Sequence, residues 1–157
     1  MIRIPILHLI EGWQRMQLWH PVEELELVES GFRGQVEIHV DIERRGGQYL
    51  VLLQTSAQAE LICDRCLERY SERLIGSYSI LYAPEAPPVL SAEEFRPIRV
   101  GVRDVDITDD VRQTVLLSIP LKQVCREDCL GLCPECGSNL NLSSHRAGCP
   151  RRDPVGA

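Results

Sequence analysis

The sequence has no apolar run approaching the roughly 20 residues that a helix needs to cross a bilayer, which excludes a chain anchored by spanning helices. Its opening stretch, Met1 to Glu11, is apolar only briefly. Pro5 and Glu11 interrupt it and no small-residue cleavage site follows, so it reads as an edge strand and not as a secretory leader. A soluble, cytoplasmic protein is the expectation. Lysine is nearly missing: arginine supplies 16 of the 17 basic residues, and the formal charge is −6. Bulk electrostatic capture of nucleic acid is therefore disfavoured, because backbone binding depends on many Lys and Arg contacts that release counterions. A few directed arginines remain open, since the guanidinium suits planar recognition of phosphate. There is no phosphate-cradling Gly-rich motif, no H-E-x-x-H and no G-x-S-x-G, which removes the commonest signatures of nucleotide, zinc-protease and hydrolase chemistry. Internal repeats longer than the cysteine pairs and low-complexity tracts are also missing.

What is there begins with length. A chain of 157 residues can bury about two-thirds of its unfolded surface in one core. The acidity is uneven: residues 1–62 carry 9 acids against 5 bases and 83–124 carry 7 against 5, while 63–82 and 125–157, which hold every cysteine, balance at 3 against 3 and 4 against 4. Gln35 to Glu43 alternates apolar and polar residues without a fault, as a half-buried strand requires, and this puts His39 on the solvated face. Arg45-Gly46-Gly47-Gln48 supplies a turn, and Tyr49 to Cys63 continues as an extended stretch, making a hairpin. The chain turns again through Cys63-Asp64-Arg65-Cys66 and runs out to Tyr82, with Tyr70, Leu74, Tyr78, Ile80 and Tyr82 on one face. Residues 83–97 hold Pro84, Pro87, Pro88 and Pro97 and read as a surface loop. Thr108-Asp109-Asp110 starts a helix near 108–118, with the threonine hydroxyl placed to cap it and the stop near Pro120. Ile107, Val111, Val115 and Ser118 share a side of that helix and Leu116, Leu117 and Ile119 widen it, a stripe suited to packing on a sheet. Asp104, Asp106, Asp109 and Asp110 read as a solvated helix start in preference to a metal site.

Seven cysteines without a secretory signal argue against a disulfide framework and for metal. They run Cys63-x2-Cys66, then Cys125-x3-Cys129-x3-Cys133-x2-Cys136, then Cys149. Each short spacing lets two sulfurs from one tight turn reach one ion, and two such turns complete a tetrahedron. With His145 there are eight donors, enough for two four-coordinate sites. One arrangement groups Cys63, Cys66, Cys125 and Cys129, tying the hairpin tip to the segment after the helix, and leaves Cys133, Cys136, His145 and Cys149 as a local knuckle. The rival is a single site from Cys125, Cys129, Cys133 and Cys136, with Cys63 and Cys66 left as a reduced pair. Two structural Zn2+ ions is the expectation. Catalytic readings fit less well. The spacing from Cys129 to Cys136 matches the cluster loop of radical S-adenosylmethionine enzymes, but only 21 residues follow it. A zinc deaminase needs H-x-E beside P-C-x-x-C, and a thioredoxin-type pair needs a βαβ setting; neither is present.

Cys63-x-Arg65-Cys66 in a β-rich half, followed by Leu121-Lys122 and by Cys125-Arg126-Glu127-Asp128-Cys129-Leu130-Gly131-Leu132-Cys133-Pro134-Glu135-Cys136-Gly137-Ser138-Asn139-Leu140-Asn141, resembles the bacterial and plastid YceD family over roughly residues 30–142. The resemblance implies a role in the synthesis, processing or stability of large-subunit (23S) ribosomal RNA, hence ribosome biogenesis, and implies no enzymatic activity.

The reading is an α+β fold. An antiparallel twisted β-sheet with one main helix fills 1–124, and a zinc-bound, cysteine-rich C-terminal extension, 125–157, packs on the hairpin tip 63–66. The expected partner is a large-subunit ribosomal RNA precursor or a large-subunit ribosomal protein, with no membrane and no small-molecule substrate. Arg65, Arg69, Arg126, Arg146, Arg151 and Arg152 flank the cysteine turns and are the candidate RNA contacts. A zinc-stabilised protein adaptor without RNA contact, or a thiol or metal-dependent enzyme, are the competing classes.

Overall fold

The computed structural model describes residues 1–85, 95–142 and 145–151. Among them, seven strands and one α-helix follow in order: β1 (Arg3–Pro5), β2 (Gly12–Pro21), β3 (Phe32–Arg45), β4 (Gln48–Ile62), β5 (Arg69–Ala83), β6 (Phe95–Pro97), β7 (Asp104–Asp106) and α1 (Thr108–Leu117), with a 3-10 turn at Glu23–Leu25. The chain divides into two units, Met1–Ala59 with Arg73–Ile119, and Glu60–Glu72 with Pro120–Ala157. The division differs from a cut at residue 124. The hairpin tip and residues 120–124 go with the cysteine-rich segment, because Asp64 exchanges main-chain and side-chain hydrogen bonds with Gln123, each at 2.7 Å.

Alternation builds the first unit. In β3, Val36, Ile38, Val40 and Ile42 are fully buried, while Glu37, His39, Asp41 and Glu43 line the other face. The Gly46-Gly47 turn sets Arg45 opposite Gln48, and Gly46 takes the positive φ of 57° that a two-residue hairpin loop demands. Inward positions of β4 are Val51, Leu53, Thr55, Ala57 and Ala59, and of β5 Leu74, Ile80 and Tyr82. The main sheet has the order β2-β3-β4-β5-β6, and β1 pairs with β7 in a separate two-stranded sheet.

Three features depart from the sequence reading. β6 runs parallel to β5, Leu81 opposite Phe95, so the sheet is mixed and not purely antiparallel. Phe95–Pro97 is thus a strand and not loop. It pairs at the outer edge of the sheet, with Pro97 at its end, where a missing N–H costs least. The rest of the proline-rich 83–97 stretch is β5's end at Ala83, Pro84 and Glu85, and 86–94, which lies outside the described residues. β2 is a ten-residue strand that the pattern does not announce: Trp13 and Trp19 point outward, 53% and 56% exposed, while Met16 and Leu18 are half-buried, so apolar residues occupy both faces.

The helix is where the sequence puts it and Ile107, Val111 and Val115 are buried as expected, but its cap and the rest of its buried face differ. Thr108 is inside the helix, and the cap comes from Asp106, whose carboxylate accepts the Thr108 N–H at 2.9 Å and its hydroxyl at 2.5 Å. The Thr108 oxygen in turn accepts the Ile2 N–H at 2.7 Å. The buried side is Asp110, Val111, Thr114 and Val115; Leu117 is 81% exposed. A rotation toward Asp110 is possible because that carboxylate meets the Tyr82 hydroxyl and the Arg96 guanidinium, each at 3.4 Å. These bonds occupy Asp106 and Asp110 within the helix start. No helix among the described residues is long and apolar enough to cross a membrane.

Candidate metal centres

Two turns of the same design carry two of the cysteine pairs. In the first, the Cys63 N–H donates to the Glu68 carbonyl and the Leu67 N–H to the Cys63 carbonyl, both at 2.9 Å. In the second, Cys133 donates to Ser138 at 2.9 Å and Gly137 to Cys133 at 2.8 Å. Folding the chain back in this way aims both sulfurs of a C-x2-C pair to one side.

The remaining donors arrive on segments that the turns themselves hold. Arg65 reaches across to the carbonyls of Glu127 and Cys129, at 3.3 and 3.0 Å, and its own carbonyl accepts the Leu132 N–H at 3.0 Å. Gly131 lies against this contact with φ 74°, and a β-carbon there would sit 3.0 Å from the Arg65 oxygen, so the position calls for glycine. Cys125 and Cys129 are thereby brought over Cys63 and Cys66. Cys63, Cys66 and Cys129 are buried, with Tyr70 and Val124 packed against them.

The sulfur spacing fits a tetrahedral ion. Ligands about 2.3 Å from a common centre at tetrahedral angles lie about 3.8 Å apart. Cys63 Sγ is 3.8 Å from Cys129 Sγ, and Cys66 Sγ is 3.7 Å from Cys125 Sγ. In the second group Cys133 and Cys149 sulfurs are 3.8 Å apart, and His145 Nδ1 is 3.8 Å from Cys136 Sγ and 3.4 Å from Cys149 Sγ. Donor atoms within each group all lie within 4.8 Å of one another. Both groups could hold a metal ion. All seven cysteines are free thiols, and the grouping joins Cys63 and Cys66 to the tail.

Electrostatics point the same way. Burial raises the Cys63 thiol, but main-chain N–H groups of Cys125, Cys66 and Arg65 outweigh it and bring the thiol down to about 6. Burial and the neighbouring sulfurs of Cys129, Cys63 and Cys66 push Cys125 up to about 12. Four thiolates so close coexist only around a cation. In the second group Cys136 falls to about 5, first through the Ser138 hydroxyl 3.3 Å from its sulfur, then through main-chain N–H groups and His145.

Asn141 joins the groups and was not singled out from the sequence. Its amide Nδ2 donates to Cys129 Sγ at 3.4 Å, and its Oδ1 accepts from the Leu130 N–H at 2.9 Å and from Arg126 at 2.8 Å. The segment that carries it is held by Leu140 N–H to the Gly131 carbonyl and by an isolated bridge between Leu132 and Asn139. Ser138, Asp64 and Gly131 were likewise unmarked. Among the candidate RNA contacts, Arg65 and Arg126 make these internal bonds, Arg69, Arg146 and Arg151 are exposed, and Arg152 lies outside the described residues.

Comparison with known proteins places this geometry. Residues 51–155, which include all eight donors, match the family described as large ribosomal RNA subunit accumulation protein YceD. An uncharacterized protein of Mycobacterium tuberculosis is 30% identical over 117 residues, covering 74% of this chain and 56% of that protein. The Zea mays large ribosomal RNA subunit accumulation protein YCED homolog 1, chloroplastic, is 24% identical over 147 residues, covering 76% of this chain and 50% of that protein. The Arabidopsis thaliana protein of the same name is 23% identical over 145 residues, covering 75% and 45%. The chain spans about half the length of the curated relatives it matches, and no solved structure matches it. With its paired cysteine turns lying inside a match that covers well over half of its length, the chain belongs to the YceD family.

Proposed function

We propose that this protein is a non-enzymatic ribosome-biogenesis factor that supports accumulation of large-subunit ribosomal RNA by binding, on a surface built by two structural zinc ions. The observation that carries the metal part is closure. Each group supplies four protein donors at tetrahedral spacing, four thiolates in one and three thiolates with an imidazole in the other, which leaves no position for water or substrate. Sulfur-rich tetrahedral sites suit zinc. When bound, zinc supplies cross-links and no step of chemistry; in finger peptides it contributes about 10–16 kcal/mol to folding. The ribosomal part rests on family membership and on the names of the plant relatives.

The RNA contacts in this reading are Arg69, Arg146 and Arg151, while Arg65 and Arg126 are engaged in internal bonds of the cysteine turns. In cells lacking the protein, large-subunit RNA should fall relative to small-subunit RNA. The wild-type chain should restore it, and a chain with Arg69, Arg146 and Arg151 changed to Glu should not. Crosslinking the tagged protein in the same cells should recover large-subunit RNA. Normal RNA levels in the depleted cells would overturn the reading.

A second reading is a zinc-stabilised adaptor that holds a large-subunit ribosomal protein. It is favoured by exposed apolar side chains in the cysteine-rich unit, Leu67, Leu130 and Leu142 at 63%, 66% and 75%. Recovery of a ribosomal protein in crosslinks without RNA would select it.

A further inference from the structure

We propose that two copies of this chain pair through the free edges of β2, in one register set by the two tryptophans. β2 ends the five-stranded sheet, and among the described residues no strand pairs with its outer edge. Long unpaired edges are normally blunted by lysine, proline or a bulge. None of these interrupts residues 13–19. Pro21 and the positive φ of Gly12, 98°, mark the two ends of the stretch.

The hydrogen-bond phase of this edge can be read. Val22 N–H donates to the Gly34 carbonyl at 3.1 Å, continuing the register in which His20 faces Val36 and Gly12 faces Arg44. Even-numbered residues therefore turn their main-chain groups toward β3. Those of Trp13, Arg15, Gln17 and Trp19 point away, because N–H and C=O direction alternates along a strand.

These four positions are symmetric about Met16. An antiparallel pair of β2 edges with its two-fold axis at Met16 sets Trp13 opposite the second copy's Trp19, and Arg15 opposite its Gln17. Each is a hydrogen-bonded pair, so the outward main-chain groups of all four residues find partners. The side chains agree with the main chain: both tryptophans of the protein lie on the outer face, more than half exposed, and the axis turns them into two cross-strand indole pairs. Aromatic cross-strand pairs are among the favourable ones in sheets. Arg15 is already neutralised by Asp41 at 2.6 Å, so the axis brings no unpaired like charges together. The same patch meets itself, as a two-fold dimer requires, and the contact closes without propagating. One strand and four indoles make a small interface, below the roughly 1,600 Å² of a standard one. The dimer should accordingly be reversible at micromolar concentration.

Sedimentation equilibrium of the metal-loaded chain from about 1 to 300 μM should show the mass rising from 17.8 kDa toward twice that value. Because no other tryptophan exists, indole emission should shift to shorter wavelength over the same range. The double variant Trp13→Lys/Trp19→Lys places lysine opposite lysine and should stay monomeric. Trp13→Glu/Trp19→Lys places glutamate opposite lysine at both pairs and should dimerise again. Both substituted positions are exposed, and far-ultraviolet dichroism checks that each variant folds. A wild-type chain monomeric throughout the range would overturn the proposal. So would a lysine double variant that dimerises as wild type does, or a charge-swapped variant that stays monomeric while folded.

Discussion

Leu67 and Gly137 stand at the same place in two turns built alike. Each follows the second cysteine of a C-x2-C pair, and each donates its N–H to the carbonyl of the first cysteine. Both take left-handed backbone, with φ of 60° and 69°. For glycine that conformation is free of steric cost; for leucine it is not. Leu67 is also 63% exposed, so packing does little to offset the strain.

Replacing Leu67 with Gly should therefore stabilise the metal-loaded protein. Left-handed backbone costs a non-glycine residue about 1–2 kcal/mol, and glycine's greater unfolded-state freedom offsets about 0.5–1 of that. Gly137→Leu should move stability the other way by a similar amount. Denaturant midpoints of the two variants check both signs, and a lower midpoint for Leu67→Gly would mean that the side chain is bound by something in the folded state.

The contrast shows what could be read from sequence. Cys133-Pro134-Glu135-Cys136-Gly137 announces its turn through proline and glycine, whereas Cys63-Asp64-Arg65-Cys66-Leu67 is marked by sulfur spacing alone. Spacing suggested the two groups of four donors, since a tight turn leaves two sulfurs few directions, but it left a single site of Cys125, Cys129, Cys133 and Cys136 open until the structure brought Cys63 and Cys66 to the first pair. It did not show Asn141 or Asp64, whose bonds to Cys129 and Gln123 join residues 12 and 59 positions apart with no repeating pattern between them. In the sheet, the faultless alternation of β3 was legible because one face is core and the other polar. β2 was hidden because its outward tryptophans break that rule. The parallel pairing of β6 involves three residues, too short for any period.

Gly76→Ala should destabilise the sheet and helix together. Alanine normally improves a strand over glycine, but here its β-carbon would lie 2.4 Å from the Thr114 carbonyl oxygen and 2.9 Å from Thr114 Cγ2. Overpacking of this kind costs about 1–3 kcal/mol. Adding Thr114→Ser removes the methyl but not the carbonyl, so the double variant should stay well below wild type in thermal unfolding.

Two aspartates at the helix start should give opposite pH signatures. Hydrogen bonds from Thr108 lower the Asp106 carboxyl, so its contribution is complete above the unfolded value of about 3.9 and is lost as pH falls through the folded value. Burial raises Asp110 despite Arg96 and Tyr82, so its contribution is present below about 3.9 and is lost as pH rises through the folded value. From pH 3 to 7, wild type should gain stability relative to Asp106→Asn and lose it relative to Asp110→Asn. Urea titrations at several pH values read both differences.

Asn141→Ala should weaken metal at the first group without displacing a ligand. Groups that hydrogen-bond to ligands typically set metal affinity by about 10–100-fold. Asn141→Asp separates two roles, for it can still accept from Leu130 but cannot donate to the Cys129 sulfur and adds a negative charge beside it. Competition with a chromogenic chelator should rank wild type above both variants. Equal affinity for wild type and Asn141→Asp would remove the sulfur contact from the account.

Metal content and its removal test the two groups as a pair. Elemental analysis should find two ions per chain, falling to one in Cys63→Ser and to one in Cys136→Ser, since the substituted cysteines belong to different groups. After chelation, amide exchange should quicken through 125–142, where Leu130 and Leu142 are exposed and the buried residues are Cys129, Cys133, Gly131 and Ser138, with no large apolar side chain among them. β3 should keep its protection, because Val36, Ile38, Val40 and Ile42 are buried without help from any sulfur. Asn141 adds an asymmetry. Its amide reaches Cys129 from the segment beyond Cys136, so loss of the second ion in Cys136→Ser should also loosen the first. Loss of the first in Cys63→Ser leaves the second turn's own bonds, Cys133 to Ser138 and Gly137 to Cys133, in place. The first ion should therefore exchange faster in Cys136→Ser than in wild type, while the second should exchange at the same rate in Cys63→Ser.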